Sequence, residues 1–246
     1  MITTLFHYTS INNLALILKS KSIRFGRLDK VNDPTEGESS DFHSLAPYIF
    51  ISCWTKNSDE NLALWNMYTP QMRGVRIELP LPIFESYKIG SNENVLVSED
   101  EYLDNERNLF ILPGKNIPEE IIYTDDTTKL IPKIETGIGL KIGELGKYKR
   151  KMWSIEEEYR YRLNIYPTDP KVVSDNFLDK YDHLIGVKPP SIEGYLRTVN
   201  LDSFSKMKIR TSPKIIDGDI EIINSLVDKF NPSATLEQSV LKGLVR

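Results

Sequence analysis

A single α+β domain spanning residues 1–246 is the fold class the sequence predicts, on three observations. Runs rich in β-branched and aromatic residues at 3–8, 47–54, 74–80 and 156–166 have strand character. Apolar residues return at helical spacing over 11–19 and 219–230. No linker, internal repeat, low-complexity tract or sharp change in composition divides the chain. Its length sits near the upper limit for one core. A hydrophobic content of 40%, with 10% aromatic residues, argues against disorder of the whole chain.

Taken in order, TTLFHY (3–8) is a short strand, and Thr9 or Ser10 caps a helix over 11–19 that carries Leu14, Ile17 and Leu18 on one side. Ile23 and Phe25 then alternate with Arg24 in a second strand that ends near Gly26. NDPTEGE (32–38) is a turn cluster. PYIFISCW (47–54) is an apolar strand, and NLALWNMY (61–68) a helix with Leu62, Trp65 and, less regularly, Tyr68 along one side. In GVRIELP (74–80), Val75, Ile77 and Leu79 alternate with Arg76 and Glu78, the pattern of a half-buried strand.

Residues 84–127 hold clusters of acidic side chains and predict a solvated, variable stretch without a site, with VLVSE and EEIIYT as strands around a polar connection. Partial helix is expected over 129–151, weakened by Pro132 and three glycines. EEEYRYRLNIY (156–166) predicts a long strand, and 219–230 a helix with Ile222, Leu226 and Phe230 aligned. The predicted core blocks are therefore 3–80 and 145–166.

Charge and composition narrow the function classes. A net charge of -4 gives no broad attraction to a phosphate backbone. The single cysteine, Cys53, allows no intrachain disulfide and reads as a strand residue rather than a catalytic thiol. No apolar run approaches the roughly 18 residues of a membrane helix. The start, MITTLFHYTS, lacks the features of a signal peptide. A cytoplasmic protein with no membrane partner is the expectation. Phosphate-loop, dinucleotide-fingerprint and Gly-x-Ser-x-Gly patterns are absent. His43 and His183 lack companions at metal-ligand spacing, so no metal is expected.

Four constellations carry candidate chemistry. His7, Tyr8, Thr9 and Ser10 close the first strand, where an imidazole and hydroxyls meet a ligand's ribose or phosphate, or where the hydroxyls only cap the next helix. On a strand, Glu156, Glu158 and Arg160 share one face. Two such carboxylates lie about 6.5–7 Å apart, so one pKa rises unless a cation such as Arg160 intervenes. That pair suits a sugar hydroxyl and an oxocarbenium-like centre; the alternative is a charged, exposed edge strand. Arg24 and Arg27 precede the Asn32-Asp33-Pro34 turn, which would aim a guanidinium at phosphate; a plain surface arginine is the alternative. Trp54, Trp65 and Tyr68 suit a core or a stacking wall, with Tyr68, at its helix end, the better stacking candidate.

In sequence, the blocks LFHYTS, SIRFGRLDKVNDPTEGE, FISCWTKNSDENLALWNMY, GVRIEL and KRKMWSIEEEYRYRL resemble those of the bacterial domain-of-unknown-function family 2971. The matching positions are His7, Tyr8 and Thr9; Asn32, Asp33 and Pro34; Leu64, Trp65 and Tyr68; Gly74 and Val75; and Trp153, Glu156, Glu158 and Arg160. Ala63 stands where the family has serine. The resemblance covers residues 5–165. That family looks like a relative of the ADP-ribosyltransferase fold, so it implies a split antiparallel sheet with flanking helices that grips NAD as substrate. It further implies that His7 and Thr9 hold NAD, that Tyr68 stacks on nicotinamide, and that Glu158 or Glu156 is the catalytic carboxylate. The implied activity is ADP-ribosyl transfer or NAD hydrolysis, in a toxin or an antiphage defence. Two other readings stand beside it. One is a non-catalytic module for a nucleotide, an ADP-ribose-like ligand or a partner protein. The other is RNA-directed chemistry through the basic segment KYKRKMW (147–153); for ADP-ribosyl transfer the acceptor is a protein or an RNA.

Overall fold

The computed structural model describes residues 2–42, 45–137, 139–167 and 189–245. His43 and His183 lie outside them. The early elements follow the sequence pattern: β1 (Thr4–Thr9), α1 (Ile11–Ser20), β2 (Ser22–Arg27), β3 (Ile49–Thr55), α2 (Leu62–Tyr68) and β4 (Val75–Pro80). Ser10 caps α1 by accepting a hydrogen bond from the Asn13 backbone, 3.1 Å. At the other end Lys21 takes a left-handed conformation (φ 51°), which turns the chain into β2.

Short strands follow: β5 (Tyr87–Ile89), β6 (Asn92–Val95), β7 (Leu103–Asp104), β8 (Leu109–Leu112), β9 (Glu119–Glu120) and β10 (Ile122–Thr124). Next come a single helical turn, α3 (Thr127–Leu130), then β11 (Tyr148–Arg150) and the long β12 (Glu158–Pro167). The chain finishes with β13 (Gly194–Thr198), α4 (Leu201–Ser205), β14 (Lys208–Thr211), α5 (Asp217–Phe230) and β15 (Thr235–Glu237).

The result is a mixed α and β fold around a large, mostly antiparallel sheet. Its main path runs β15-β14-β4-β1-β3-β12-β8-β7. The sheet is split about β3. Along one edge β3 pairs with β12 from Thr55 to Ile49. Its other edge is divided: β1 meets it at Phe6↔Thr55, and β2 at Gly26↔Ile51 and Arg27↔Phe50. Helix α1 joins the two diverging strands. A cleft opens where β1 leaves β3.

Both faces of the β1–β4 region are covered. Leu5, Val75, Ile77, Leu79 and Ile209 pack in the main core with Leu14, Ile17 and Leu18 of α1. The opposite face carries Tyr8, which packs with Leu64, Trp65 and Met72 around α2. This second layer explains a departure from the half-buried strand expected at 74–80. Arg76, opposite Tyr8 in the ladder, faces that layer and is only 2% exposed.

Other expectations are corrected in the same way. On α2 the buried side is Leu64 and Trp65, whereas Leu62 is 46% exposed. On α5 the core takes Ile223 and Val227, and Ile222 faces outward. The acidic stretch 84–127 is not merely a solvated excursion. Its β8 pairs with β12, and Leu96, Val97, Leu109 and Ile111 enter the main core. Helix within 129–151 shrinks to the end of α3, with a 3-10 turn at Ile142–Glu144. β12 begins two residues later than expected. Glu156 ends a 3-10 turn (Lys151–Glu156), and Glu157 is left-handed (φ 43°, ψ 52°).

Candidate functional site

A hollow of about 370 Å3, counting its open mouth, lies at the fork of the sheet. β1 contributes His7, β3 contributes Trp54, α2 contributes Leu64 and Tyr68, and the chain entering β12 contributes Glu156 and Glu158. Residues 7 and 158 thus share one hollow.

His7 fills the gap where the β1–β3 ladder stops. Its Nδ1 lies 2.9 Å from the Cys53 carbonyl oxygen. A carbonyl only accepts, so Nδ1 carries the proton and donates. Burial lowers the His7 pKa below its usual 6.5, against the opposing effect of that bond. The ring is therefore neutral at pH 7, with Nε2 as an acceptor. It lies beside Trp54, ring centres 5.2 Å apart.

Behind this wall is a buried ion cluster. Arg160 grips both oxygens of Glu158, through Nε to Oε1 (2.5 Å) and Nη2 to Oε2 (2.9 Å). Its Nη1 donates to Glu36 and to the Gly146 carbonyl. Lys149 Nζ reaches Glu156 (2.5 Å), Glu158 (3.1 Å) and Glu36 (3.3 Å). Three carboxylates thus face two cations, leaving one formal negative charge when all are ionised. Trp153 lies against Lys149, whose Nζ is 4.9 Å from the ring centre.

The two glutamates of the hollow are driven apart in acidity. For Glu158 burial favours the neutral form, but Arg160 and Lys149 outweigh it and hold the carboxyl at about 2. Glu156 moves up instead: burial and the charge of Glu158 outweigh Lys149 and the Tyr68 hydroxyl. Tyr68 donates to Glu156 Oε1 at 2.6 Å, and burial with that carboxylate keeps the phenol protonated. The Cys53 thiol is also pushed well up, first by burial and then by Glu158, so it stays a thiol.

Asn61 ties three sides of the hollow together. Its side-chain oxygen caps α2 at the Ala63 and Leu64 amides. Its backbone N–H donates to the Tyr8 hydroxyl (3.1 Å), and its Nδ2 to the Ile155 carbonyl (3.0 Å), just before Glu156.

The residues singled out in the sequence divide clearly. His7, Tyr8, Tyr68, Glu156 and Glu158 line the hollow. Tyr8 does so as a packing residue, edge-on to Trp65 at 4.7 Å. Thr9 is buried, and its hydroxyl accepts from the Asn13 side chain (3.1 Å), which serves α1. Arg160 stands behind the hollow, not in it. Arg24 donates to the Glu193 carbonyl, and Arg27 pairs with Asp29, so neither reaches the hollow. The Asn-Asp-Pro turn aims neither arginine. Asp33 accepts from the Thr35 amide and hydroxyl, and its carbonyl accepts from the Glu36 amide; the turn presents Glu36 to Arg160. Glu156 joins Glu158 through the left-handed Glu157, not through strand alternation.

Glu36, Lys149 and Tyr123 were missed. The Tyr123 hydroxyl accepts from the Glu158 amide at 2.9 Å, which places one side chain of the acidic stretch at the site after all. Lys149 lay within the basic run read as a nucleic-acid contact. Within that run Lys149 is buried, and Lys147 and Lys151 pair with Glu144 and Asp125. No pattern in KYKRK sets Lys149 apart from its basic neighbours, because Lys147, Lys149 and Lys151 share one face of a strand.

Among the described residues no group of His, Cys, Asp and Glu side chains is arranged to hold a metal ion. No described helix is long and apolar enough to cross a membrane. Comparison with known proteins adds no relative: no family model matches the chain, and neither a curated protein nor a solved structure matches it.

Proposed function

We infer that the fork hollow binds NAD and breaks its nicotinamide–ribose bond, as an ADP-ribosyltransferase or an NAD glycohydrolase. One observation carries this reading: a neutral imidazole and two carboxylates of opposite acidity shift line the same aromatic hollow. Pairs of carboxyl groups pushed apart in this way divide acid, base and electrostatic roles between them. The split antiparallel sheet and the resemblance in the quoted sequence blocks support an ADP-ribosyltransferase-like core.

A nicotinamide ring on ribose is a planar cation, suited to the Trp54 and Tyr68 walls and to a site with excess negative charge. As the bond to C1′ lengthens, positive charge develops on the ribose, and ionised Glu158 lowers its energy. His7 Nε2 accepts from a ribose hydroxyl, and Glu156 and Glu158 both line the space for the nicotinamide ribose. Nicotinamide departs as a neutral base and needs no proton. Water or another nucleophile then attacks C1′, and its proton passes to Glu156, whose raised pKa suits a base. The nicotinamide ring enters the hollow between its aromatic walls, and the rest of the ligand extends through the open mouth.

Nicotinamide release from NAD by the purified protein tests this. Release by the native chain is expected to fall about 100-fold in Glu158→Gln, the range for loss of one transition-state electrostatic partner. No release, and no transfer of ADP-ribose to lysate components, sinks the catalytic reading. A non-catalytic ligand-binding module is favoured by one feature: both Glu158 oxygens already carry Arg160 or Lys149 bonds. NAD that raises the melting temperature without turnover selects that second reading.

A further inference from the structure

We propose that a second hollow, on the β4–β14 side of the sheet, is an anion site that takes a phosphate ester or diphosphate group. It is open, of about 890 Å3, and its cationic wall is Lys56, Arg76 and Arg210, with Phe6 and Ser58 beside them. Arg76 is the central observation. Its side chain is almost fully buried, yet no ion pair among the described residues involves it. Nη1 donates to the Ser58 carbonyl (2.8 Å), and Nε has no hydrogen-bond partner. The guanidinium carbon lies over Phe6, 4.6 Å from the ring centre.

Register sharpens the point. Arg210 sits directly opposite Arg76 in the antiparallel β4–β14 ladder. Like charges in that position repel. Arg210 has Glu237 (2.5 Å) and Glu60 (3.6 Å) as counter-charges, and Lys56 has Glu120 (2.8 Å). Glu78, the carboxylate lining the hollow, is paired with Lys208 at 3.0 Å. Arg76 is thus the cation left without a carboxylate, on the wall of a space large enough for a phosphate group. A guanidinium held against an aromatic ring and free of any carboxylate keeps N–H donors for phosphate oxygens.

Phe6 lines both hollows, and Thr55 of the first is followed by Lys56 of the second. One ligand can therefore span them, but the anion site stands whether or not NAD is cleaved. Calorimetric titration of the native chain with inorganic pyrophosphate is the test. Binding that weakens with salt is expected, together with a loss of about ten-fold or more in Arg76→Gln and in the surface variant Lys56→Glu. Both variants are to keep native nicotinamide riboside binding where that is detected. No binding of pyrophosphate by the native chain overturns the proposal, as does native affinity in a folded Arg76→Gln. If Arg76→Gln does not fold, native affinity in Lys56→Glu overturns it instead. Pyrophosphate binding in a protein that releases no nicotinamide upholds the anion site and removes only the NAD chemistry.

Discussion

Arg160 and Arg76 are two buried arginines on strands of the same sheet, 3% and 2% exposed, and they are treated in opposite ways. Arg160 is saturated: two carboxylates and a carbonyl take its donors. Arg76 has an aromatic face, one carbonyl and no carboxylate. A saturated cation fixes its neighbours and has little left for a ligand, whereas an unsaturated one is held ready. The first therefore positions Glu158, and the second is the better place to look for a bound anion.

Stability separates the two most strongly. Arg160→Met leaves Glu158 and Glu36 buried with one cation fewer, and is expected to cost about 3–5 kcal/mol. Arg76→Met strands no carboxylate and is expected to cost about 1–2 kcal/mol, from one carbonyl bond and lost ring contact. Urea unfolding of both variants checks the order, and equal losses would erase the distinction.

Acid sharpens the same contrast. Glu158 is held at about 2 in the folded chain against 4.5 ordinarily. A depressed carboxyl stabilises the fold fully above its unfolded value, and that contribution fades as pH falls from about 4.5 towards 2. The stability advantage of the native chain over Glu158→Gln is therefore expected to be large at pH 6 and to shrink by pH 3. Denaturant midpoints at the two pH values measure it. The difference between the native chain and Arg76→Met, which involves no carboxylate, is expected to change less.

The smallest effect belongs to Tyr68. Tyr68→Phe removes the hydroxyl that supports ionised Glu156 and is expected to cost about 0.5–1.5 kcal/mol. Glu156 titrates higher still without it. In an active enzyme the acidic limb of the rate profile then moves to higher pH. An unmoved limb would separate Glu156 from the rate.

Much of the framework was legible because its signals are local. Ser10 before Leu14, Ile17 and Leu18 marks α1, and the alternation in 74–80 marks β4. The hollow was legible at its two ends, His7 and the glutamates. What joins them was not. Glu36 meets Arg160 across 124 positions, and no periodicity encodes that contact. β8 was hidden because LFIL is only four residues long and lies among acidic neighbours. Arg76 read as solvent-facing because alternation reports one covered face, whereas Phe6, Tyr8 and the Ser58 carbonyl cover the other at this position. The phase of α5 slipped by one residue because apolar residues at 222 and 223 offer two competing faces.

Asn61 gives the molecule a mechanical property that no single bond describes. It holds the Tyr8 hydroxyl, the first turn of α2 and the Ile155 carbonyl at once, so one side chain sets the spacing of three walls of the cleft. Asn61→Ala is therefore expected to disturb the placement of Tyr68 and Glu156 together, although neither touches Asn61 directly through its own side chain.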